Sequence, residues 1–384
     1  MSPFTHRDIR LIEPTFNDPL TGLIIELDHL RNKQISGTTH PTVFFQLKNV
    51  FQMLESIGSA RIEGNNTTIS EFIETQLESR KPVDEQIQEI LNIENCLHHI
   101  EKESKNIKIN RITISNLHKI TVKNLTPPPI GEGDHNPGDY RNHPVNIKGA
   151  KHIPPENYQQ IEGYMQELID FLNQPNPPRY DLLKMCIAHH RLMWIHPFGN
   201  GNGRLGRVFT YALLVKFGFN VHVGGILNPT AIFCNNREEY YRQLSVADQG
   251  SEENLMSWCT YVLSGLKTEI EKIDRLSNYD YLKTHILLPA LAYSKSMKYI
   301  DAIEYKILRV TIENQIVQNA TIKTVMKSKH ITSVSRYIRS LKEKKMLVSE
   351  GENSRKYHIN FIQNLLLRGV IKQLEEKGFT PTQY

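Results

Sequence analysis

The chain has 384 residues, 39% of them hydrophobic and 23% charged, with a formal net charge of +5. That is enough apolar material for two or three domain cores, and it excludes wholesale disorder. No run reaches the roughly 18 apolar residues of a membrane span, the first residues lack a signal-like apolar stretch, and Cys96, Cys186, Cys234 and Cys259 are too scattered for CxxC pairing, so a cytoplasmic protein without membrane contact, disulfides or a cysteine zinc site is expected.

The front quarter reads as wholly helical. Leu20, Leu23, Ile24, Leu27 and Leu30, then Phe44, Leu47, Val50, Phe51 and Leu54, recur at helical spacing on either side of the turn residues Ser36-Gly37-Thr38-Thr39. Gly64-Asn65-Asn66 ends the second helix, and helical periodicity resumes over the acidic stretch 70–103. Thr113–Val122 is a further helix, followed by a breaker-rich loop through Pro127-Pro128-Pro129 and Gly131 to Gly138. From Tyr140 to Ile153 the alternation of Val145 and Ile147 around Lys148-Gly149-Ala150-Lys151 predicts a small β-hairpin. Helices return over Ile161–Leu172 and, after a proline loop, over the strongly apolar Leu182–Ile195.

The next segment carries chemistry. His196-Pro197-Phe198-Gly199-Asn200-Gly201-Asn202-Gly203-Arg204-Leu205-Gly206-Arg207 leads into a helix read as Val208–Phe217. Glycines let backbone N–H groups surround an anion, and the opening of a helix adds unpaired amides and a favourable dipole. Arg204 and Arg207, three residues apart, fall near one helical face and suit phosphate oxygens with their fork geometry. His196 is the residue here whose ordinary pKa suits proton abstraction near neutrality. Base, anion cradle and cationic clamp fit phosphoryl or nucleotidyl transfer. The loop is not a Walker A motif, because no GKS or GKT follows, nor a dinucleotide fingerprint, because no strand precedes it.

HPFGNGNGRLGR resembles the motif HPFx[D/E]GN[G/K]RxxR of the Fic (Fic/Doc) family, and the resemblance extends through most of residues 112–260. It implies a mainly α fold, a helical bundle with a small β-hairpin flap, acting as a protein adenylyltransferase on ATP with Mg²⁺. His196 would then deprotonate a Ser, Thr or Tyr hydroxyl of a target protein, this chain included, and AMP would be transferred to that oxygen. Gly199, Asn200, Gly201, Asn202, Gly203, Arg204 and Arg207 would hold the phosphates. Val145, Asn146 and Ile147 resemble the flap that aligns the target, and Tyr240 and Tyr241 the segment beside the adenine. Asn200 departs from the family's Asp or Glu metal ligand, so weaker Mg²⁺ binding is expected. Gly203, where phosphate-transferring relatives tend to carry Lys, leans toward AMP.

Ser59-Ala60-Arg61-Ile62-Glu63-Gly64 resembles the family's inhibitory motif [S/T]xxxE[G/N]. The resemblance implies that Glu63 pairs with Arg207 and takes the place of the γ-phosphate, with Ser59 orienting the glutamate and reversal of the reaction also open. Read without the resemblance, the same residues are a helix C-terminus closed by Gly64.

Residues 252–285 read as a helical connector. Residues 295–361 hold about fourteen Lys/Arg against about six Asp/Glu, so basic surface gathers there and suits a polyanion. Ile303–Ile312, Thr321–Met326 and the basic Thr332–Lys344 read as helices, and Met346-Leu347-Val348 with Lys356-Tyr357-His358-Ile359 as a two-stranded wing. That is the order of a winged helix-turn-helix, with Ser335, Arg336 and Arg339 where DNA would be met. The expected organisation is an N-terminal helical region with its inhibitory helix (1–105), a catalytic core (106–260), a connector (261–295), the winged unit (296–361) and a terminal helix with a loose end (362–384). A nucleotide-sensing DNA-binding regulator is the competing reading, and both monomer and homodimer are open.

Overall fold

The computed structural model describes residues 6–32, 37–78, 84–147, 150, 152–219, 230–326, 331–351 and 354–380. In chain order the first helices are α1 (Pro19–Asn32), α2 (Pro41–Ile62), α3 (Ile69–Glu78), α4 (Glu85–Lys102) and α5 (Arg111–Thr121). Then come α6 (Ile161–Asn173), α7 (Asp181–Ile195), α8 (Asn202–Lys216), α9 (Thr230–Cys234), α10 (Arg237–Ala247) and α11 (Glu252–Asp274). The remainder is α12 (Tyr279–Leu282), a π turn, α13 (Leu288–Ser296), α14 (Ala302–Asn314), β1 (Val317–Gln318), α15 (Asn319–Met326), α16 (Ile331–Glu343), β2 (Leu347–Ser349), β3 (Lys356–Ile359) and α17 (Leu366–Glu376). No helix among the described residues is long and apolar enough to cross a membrane.

The chain divides into two compact units: Met1–Gln34, Glu55–Thr67 and Pro82–Ile270 form the first, and Ile35–Leu54, Thr68–Lys81 and Glu271–Tyr384 the second. The division is not linear, because α2 contributes its first part to one unit and its last turns to the other. Pro41 starts α2 where its missing N–H is no loss. A paired turn stops it: Gly64 N–H reaches Arg61 O at 3.0 Å and Asn65 N–H reaches Ala60 O at 3.2 Å. Gly64 takes φ of 107°, a region that an L-residue avoids, so this glycine sets where the helix ends and where Glu63 is carried.

In the first unit α8 packs against α4, α5 and α7. Leu205, Phe209, Leu213 and Leu214 are fully buried, and so are Arg204 and Arg207. A helix buried on nearly every side forms a core element, and here its N-terminus opens the site. α8 begins at Asn202, six residues before the predicted Val208, because Gly201 with φ of 76° caps it and Leu205 N–H bonds Gly201 O. Both arginines therefore sit within its first two turns.

The described residues between 140 and 153 form no β-ladder. The tip of the expected hairpin, Lys148, Gly149 and Lys151, lies outside the described residues, and beside it Ala150 N–H bonds Ile147 O at 3.2 Å.

In the second unit the predicted order of helix, helix, basic helix and two strands is found over α14, α15, α16, β2 and β3. β3 pairs antiparallel with β2 and also with the two-residue β1, too short for sequence alternation to signal. Asp301 caps α14 with Glu304 reciprocating, a full capping box. The predicted terminal helix is α17, and Pro381 lies outside the described residues.

Candidate active site

His196 closes α7 with left-handed backbone angles, φ 52° and ψ 61°, and its N–H bonds Leu192 O at 3.0 Å. Pro197 bars the helix from continuing. The ring's Nδ1 lies 3.2 Å from Met193 O. A carbonyl can only accept, so Nδ1 carries the proton and Nε2 keeps its lone pair. Burial pushes the imidazole pKa down to about 4, only partly offset by the Met193 carbonyl, so the ring is a neutral base at physiological pH.

The loop after His196 is fixed by side chains. Phe198 is fully buried and stacks on His118, ring centroids 3.8 Å apart. Asn202 Oδ1 accepts from Phe198 N–H at 3.0 Å while its Nδ2 donates to Phe198 O at 2.9 Å. That side chain, expected to hold phosphate, instead ties the loop into a ring. His118 Nδ1 accepts from Gly138 N–H at 2.9 Å, which leaves Nε2–H to donate to Asn200 O at 2.9 Å. Desolvation lowers the His118 pKa and keeps this bridge neutral. Asp134 Oδ2 accepts from Asn200 N–H at 2.9 Å and lies alongside Gly199. Sequence reading missed His118 and Asp134, since each is a lone residue on another element with no spacing to mark it.

Asn200 donates from Nδ2 to Gly133 O at 3.1 Å, and the same nitrogen lies 3.4 Å from Glu132 Oε2. The exposed Glu132 carboxylate also lies 3.5 Å from Arg204 Nη2, and carboxylate and amide oxygens are the donor types that Mg²⁺ takes. Both Asp134 oxygens are engaged by backbone amides.

The two arginines are held by different acids. Arg207 Nε donates to Ser59 Oγ at 2.8 Å, and Nη2 donates to Ser59 O at 2.9 Å and Glu63 Oε1 at 2.6 Å. Ser59 therefore orients the arginine, not the glutamate as expected. Burial by itself would raise the Glu63 carboxyl, but Arg207, with help from Arg204, holds it below its ordinary value. A Cβ on Gly203 would fall 2.1 Å from Glu63 Oε1, so glycine is what lets the carboxylate approach the loop. Arg204 Nη1 lies 2.8 Å from Glu89 Oε1 of α4, and Nη2 donates to Glu132 O at 2.6 Å. Asn65 links the two clusters, donating to Glu89 Oε2 at 2.7 Å from just beyond Gly64. Arg204 is thus buried against the Glu89 carboxylate, and its Nε has no acceptor among the described residues.

The flap is rooted on this loop. Arg141, 4% exposed, donates from Nε to His196 O, from Nη1 to His143 O and from Nη2 to Pro155 O, each at 2.8 Å. His152 Nε2 lies 2.8 Å from Trp194 O and fastens the other end. Between them Asn146 is exposed and Val145 and Ile147 are half-buried.

The two tyrosines separate. Tyr240 is fully buried among His189, Phe233 and Trp258. Thr210 donates to Gly206 O, so it accepts from His189 Nδ1–H, and Tyr240 O–H donates to His189 Nε2 at 2.9 Å. Tyr240 thus braces α8 from beneath, and Tyr241, 39% exposed, is the one a base could reach. In the second unit α16 buries Val334, Ile338 and Leu341 and exposes Ser335, Arg336 and Arg339.

Residues 108–214 match the family model described as Fic/DOC family, and the chain carries a Fic domain there. It is 31% identical over 202 residues to a protein of Culex quinquefasciatus named protein adenylyltransferase Fic, a match covering 50% of this chain and 36% of that one. A relative of the same name from Nematostella vectensis is 26% identical over 200 residues, 50% of this chain and 42% of the other. The chain therefore spans well under two thirds of the curated relatives it matches. Among solved structures, a Fic family protein from Desulfovibrio desulfuricans G20 superposes with a TM-score of 0.54 at 18% identity, over 90% of this chain and 98% of that one. Fic-1 (aa134–508) from C. elegans gives 0.52 at 20% identity, over 66% and 71%. Both likenesses concern the fold.

Proposed function

We propose that the chain is an ATP-dependent protein adenylyltransferase, transferring AMP to a Ser, Thr or Tyr hydroxyl and restrained by Glu63. The observation that carries this reading is a neutral histidine, its proton on Nδ1, at the mouth of a helix N-terminus that carries Arg204 and Arg207. His196 Nε2 takes the hydroxyl proton as the oxygen attacks the α-phosphorus, and pyrophosphate leaves in line. Backbone amides at Gly201, Asn202 and Gly203 and the side chain of Arg204 face the charge on the phosphates. Arg207 is occupied by Glu63 and must be released before it can bind the outer phosphate. Mg²⁺, held by Asn200 Oδ1 and Glu132, would neutralise phosphate charge. Val145, Asn146 and Ile147 align the acceptor segment, and Tyr241 lies against the adenine. The four cysteines are all buried free thiols, which accords with a cytoplasmic setting.

The test is incorporation of α-labelled ATP into protein by wild type, Glu63→Gly and Glu63→Gly/His196→Ala. A charge-assisted contact contributes about 1.5–3 kcal/mol, so its removal should raise labelling roughly 10–100-fold. The double variant should return labelling to background. Equal labelling in all three samples would refute both base and brake.

A second reading concerns the C-terminal unit. The exposed basic face of α16 beside the β2–β3 hairpin favours a winged helix-turn-helix that contacts DNA through Ser335, Arg336 and Arg339. Duplex binding that weakens with salt and is lost in Arg336→Ala/Arg339→Ala would support it. Equal binding by that double variant would count against it.

A further inference from the structure

Outside the Fic domain, His40 from just before α2 meets Glu350 and His358 of the β2–β3 hairpin within the second unit. Ligand atoms of His40, Glu350 and His358 all lie within 4.8 Å of one another. Their environment is organised around His358, which is fully buried on β3. Its Nδ1 lies 3.2 Å from Gln315 O. That acceptor requires Nδ1 to carry the proton, and Nε2 is left as a lone pair. This Nε2 is buried and has no hydrogen-bond partner among the described residues. Orphaned acceptors of this kind are uncommon in folded proteins and call for an occupant. A backbone carbonyl that fixes the tautomer of a histidine is also the usual outer support of a metal-ligating imidazole.

The same Gln315 holds the second histidine. Its Oε1 accepts from His40 N–H at 2.7 Å, and its Nε2 donates to Thr38 O at 3.0 Å. Gln315 does so from a backbone with φ of 60°, a conformation that a non-glycine residue keeps only when its surroundings impose it. Gln46 adds a second clasp, donating to Ile359 O at 2.8 Å and accepting from Phe361 N–H at 2.9 Å. The start of α2 is thereby fastened to β3, and the His40 and His358 rings are brought to 4.2 Å between centroids. The His40 ring accepts a long bond, 3.3 Å from Thr42 N–H to Nδ1, that a metal could replace. Glu350 supplies an exposed carboxylate whose Oε2 lies 3.5 Å from Lys356 Nζ, a loose pair that a divalent ion would displace.

We propose that His40, Glu350 and His358 form a binding site for a divalent transition-metal ion of the zinc class, with water completing a four-coordinate shell. Two imidazoles and one carboxylate are the donor set that zinc accepts, and the nitrogen ligands discriminate against Mg²⁺ and Ca²⁺. Contraction of the three atoms onto ligand distances of about 2.0–2.2 Å is within the reach of side-chain torsions. The ion would neutralise the Glu350 charge, complete His358 Nε2 and cross-link the residue before α2 to the β2–β3 hairpin.

The experiment uses the untagged full chain, stripped with a chelator and titrated with Zn²⁺ against a chromogenic competitor. Wild type should bind one equivalent that Glu350→Gln and His40→Asn each weaken by about 10–100-fold. Both changed residues are at least partly exposed, and matching circular dichroism checks that the variants are folded. Co²⁺ should give the visible bands of a four-coordinate site in wild type and not in Glu350→Gln. Zn²⁺ should also raise the melting temperature of wild type alone. Equal stoichiometry and affinity in wild type and both variants, or no four-coordinate Co²⁺ spectrum in wild type, would overturn the proposal.

Discussion

The catalytic loop and the flap lie side by side and are held in opposite ways. From His196 to Arg207 each turn of backbone has a side chain dedicated to it: Asn202 for Phe198, His118 for the Asn200 carbonyl, Asp134 for the Asn200 amide. The flap is fastened at its two roots, by Arg141 and His152, while its centre makes a single backbone bond of its own among the described residues. The difference teaches that the loop proposed to cradle the phosphates is set by its own side chains, whereas the proposed function has a segment of the target pair with the flap. Preorganised donors cost no rearrangement at the moment of reaction, and an unpaired extended chain is the natural template for strand addition.

Three measurements would break or sharpen this contrast. The largest effect is expected from Arg141→Ala, which frees the flap root while leaving the loop's own bonds intact. In the Glu63→Gly background kcat/KM for a protein target should fall by about 100-fold, as misplacement near the chemistry does. ATP affinity should stay within about twofold of the parent. A matching loss of ATP affinity would mean that the loop depends on the flap and is not preset.

A smaller effect is expected where the loop is least committed. Asn200→Asp places a negative charge beside Glu132 and should tighten the Mg²⁺ requirement by about tenfold, read as the Mg²⁺ concentration for half-maximal transfer. An unchanged Mg²⁺ dependence would remove Asn200 from the metal's surroundings.

The smallest effect is a near-absence of change with pH. His196 is held at a pKa of about 4, below its ordinary 6.5. The base form is the neutral ring, so it persists above the folded pKa and is lost only as pH falls through it. For Glu63→Gly, kcat/KM should change less than about twofold between roughly pH 7 and 5.5 through this group, with the acid limb well below pH 6. An acid limb near pH 6.5 would show that the ring is more solvated than its setting indicates.

Several of these features were legible as chain pattern. Glycine spacing and two arginines marked the cradle, and Ser59 with Glu63-Gly64 marked the helix end. That second stretch does end a helix in the structure. Gly64 closes α2, and closing it there carries Glu63 to Arg207. Alternation over 140–153 points to a hairpin whose tip lies outside the described residues. Tyr240 and Tyr241 are adjacent letters with opposite fates, since neighbouring residues on a helix face different ways and only packing decides which is buried.

By itself the sequence determined the helical class, the glycine-rich loop with His196, the stop after α2 and the basic helix α16. All of these depend on residues close together in the chain, where period, capping and backbone freedom act directly. Tertiary structure alone decided that Asn202 closes the loop, that Ser59 grips Arg207, that Glu89 faces Arg204 and that His40 meets His358. Each of those contacts except the Asn202 closure joins residues more than a hundred positions apart, and even that closure depends on how the buried helix α8 is seated. Buried polar groups take whatever partners the packed core brings within reach, and that choice is made when the helices close around them.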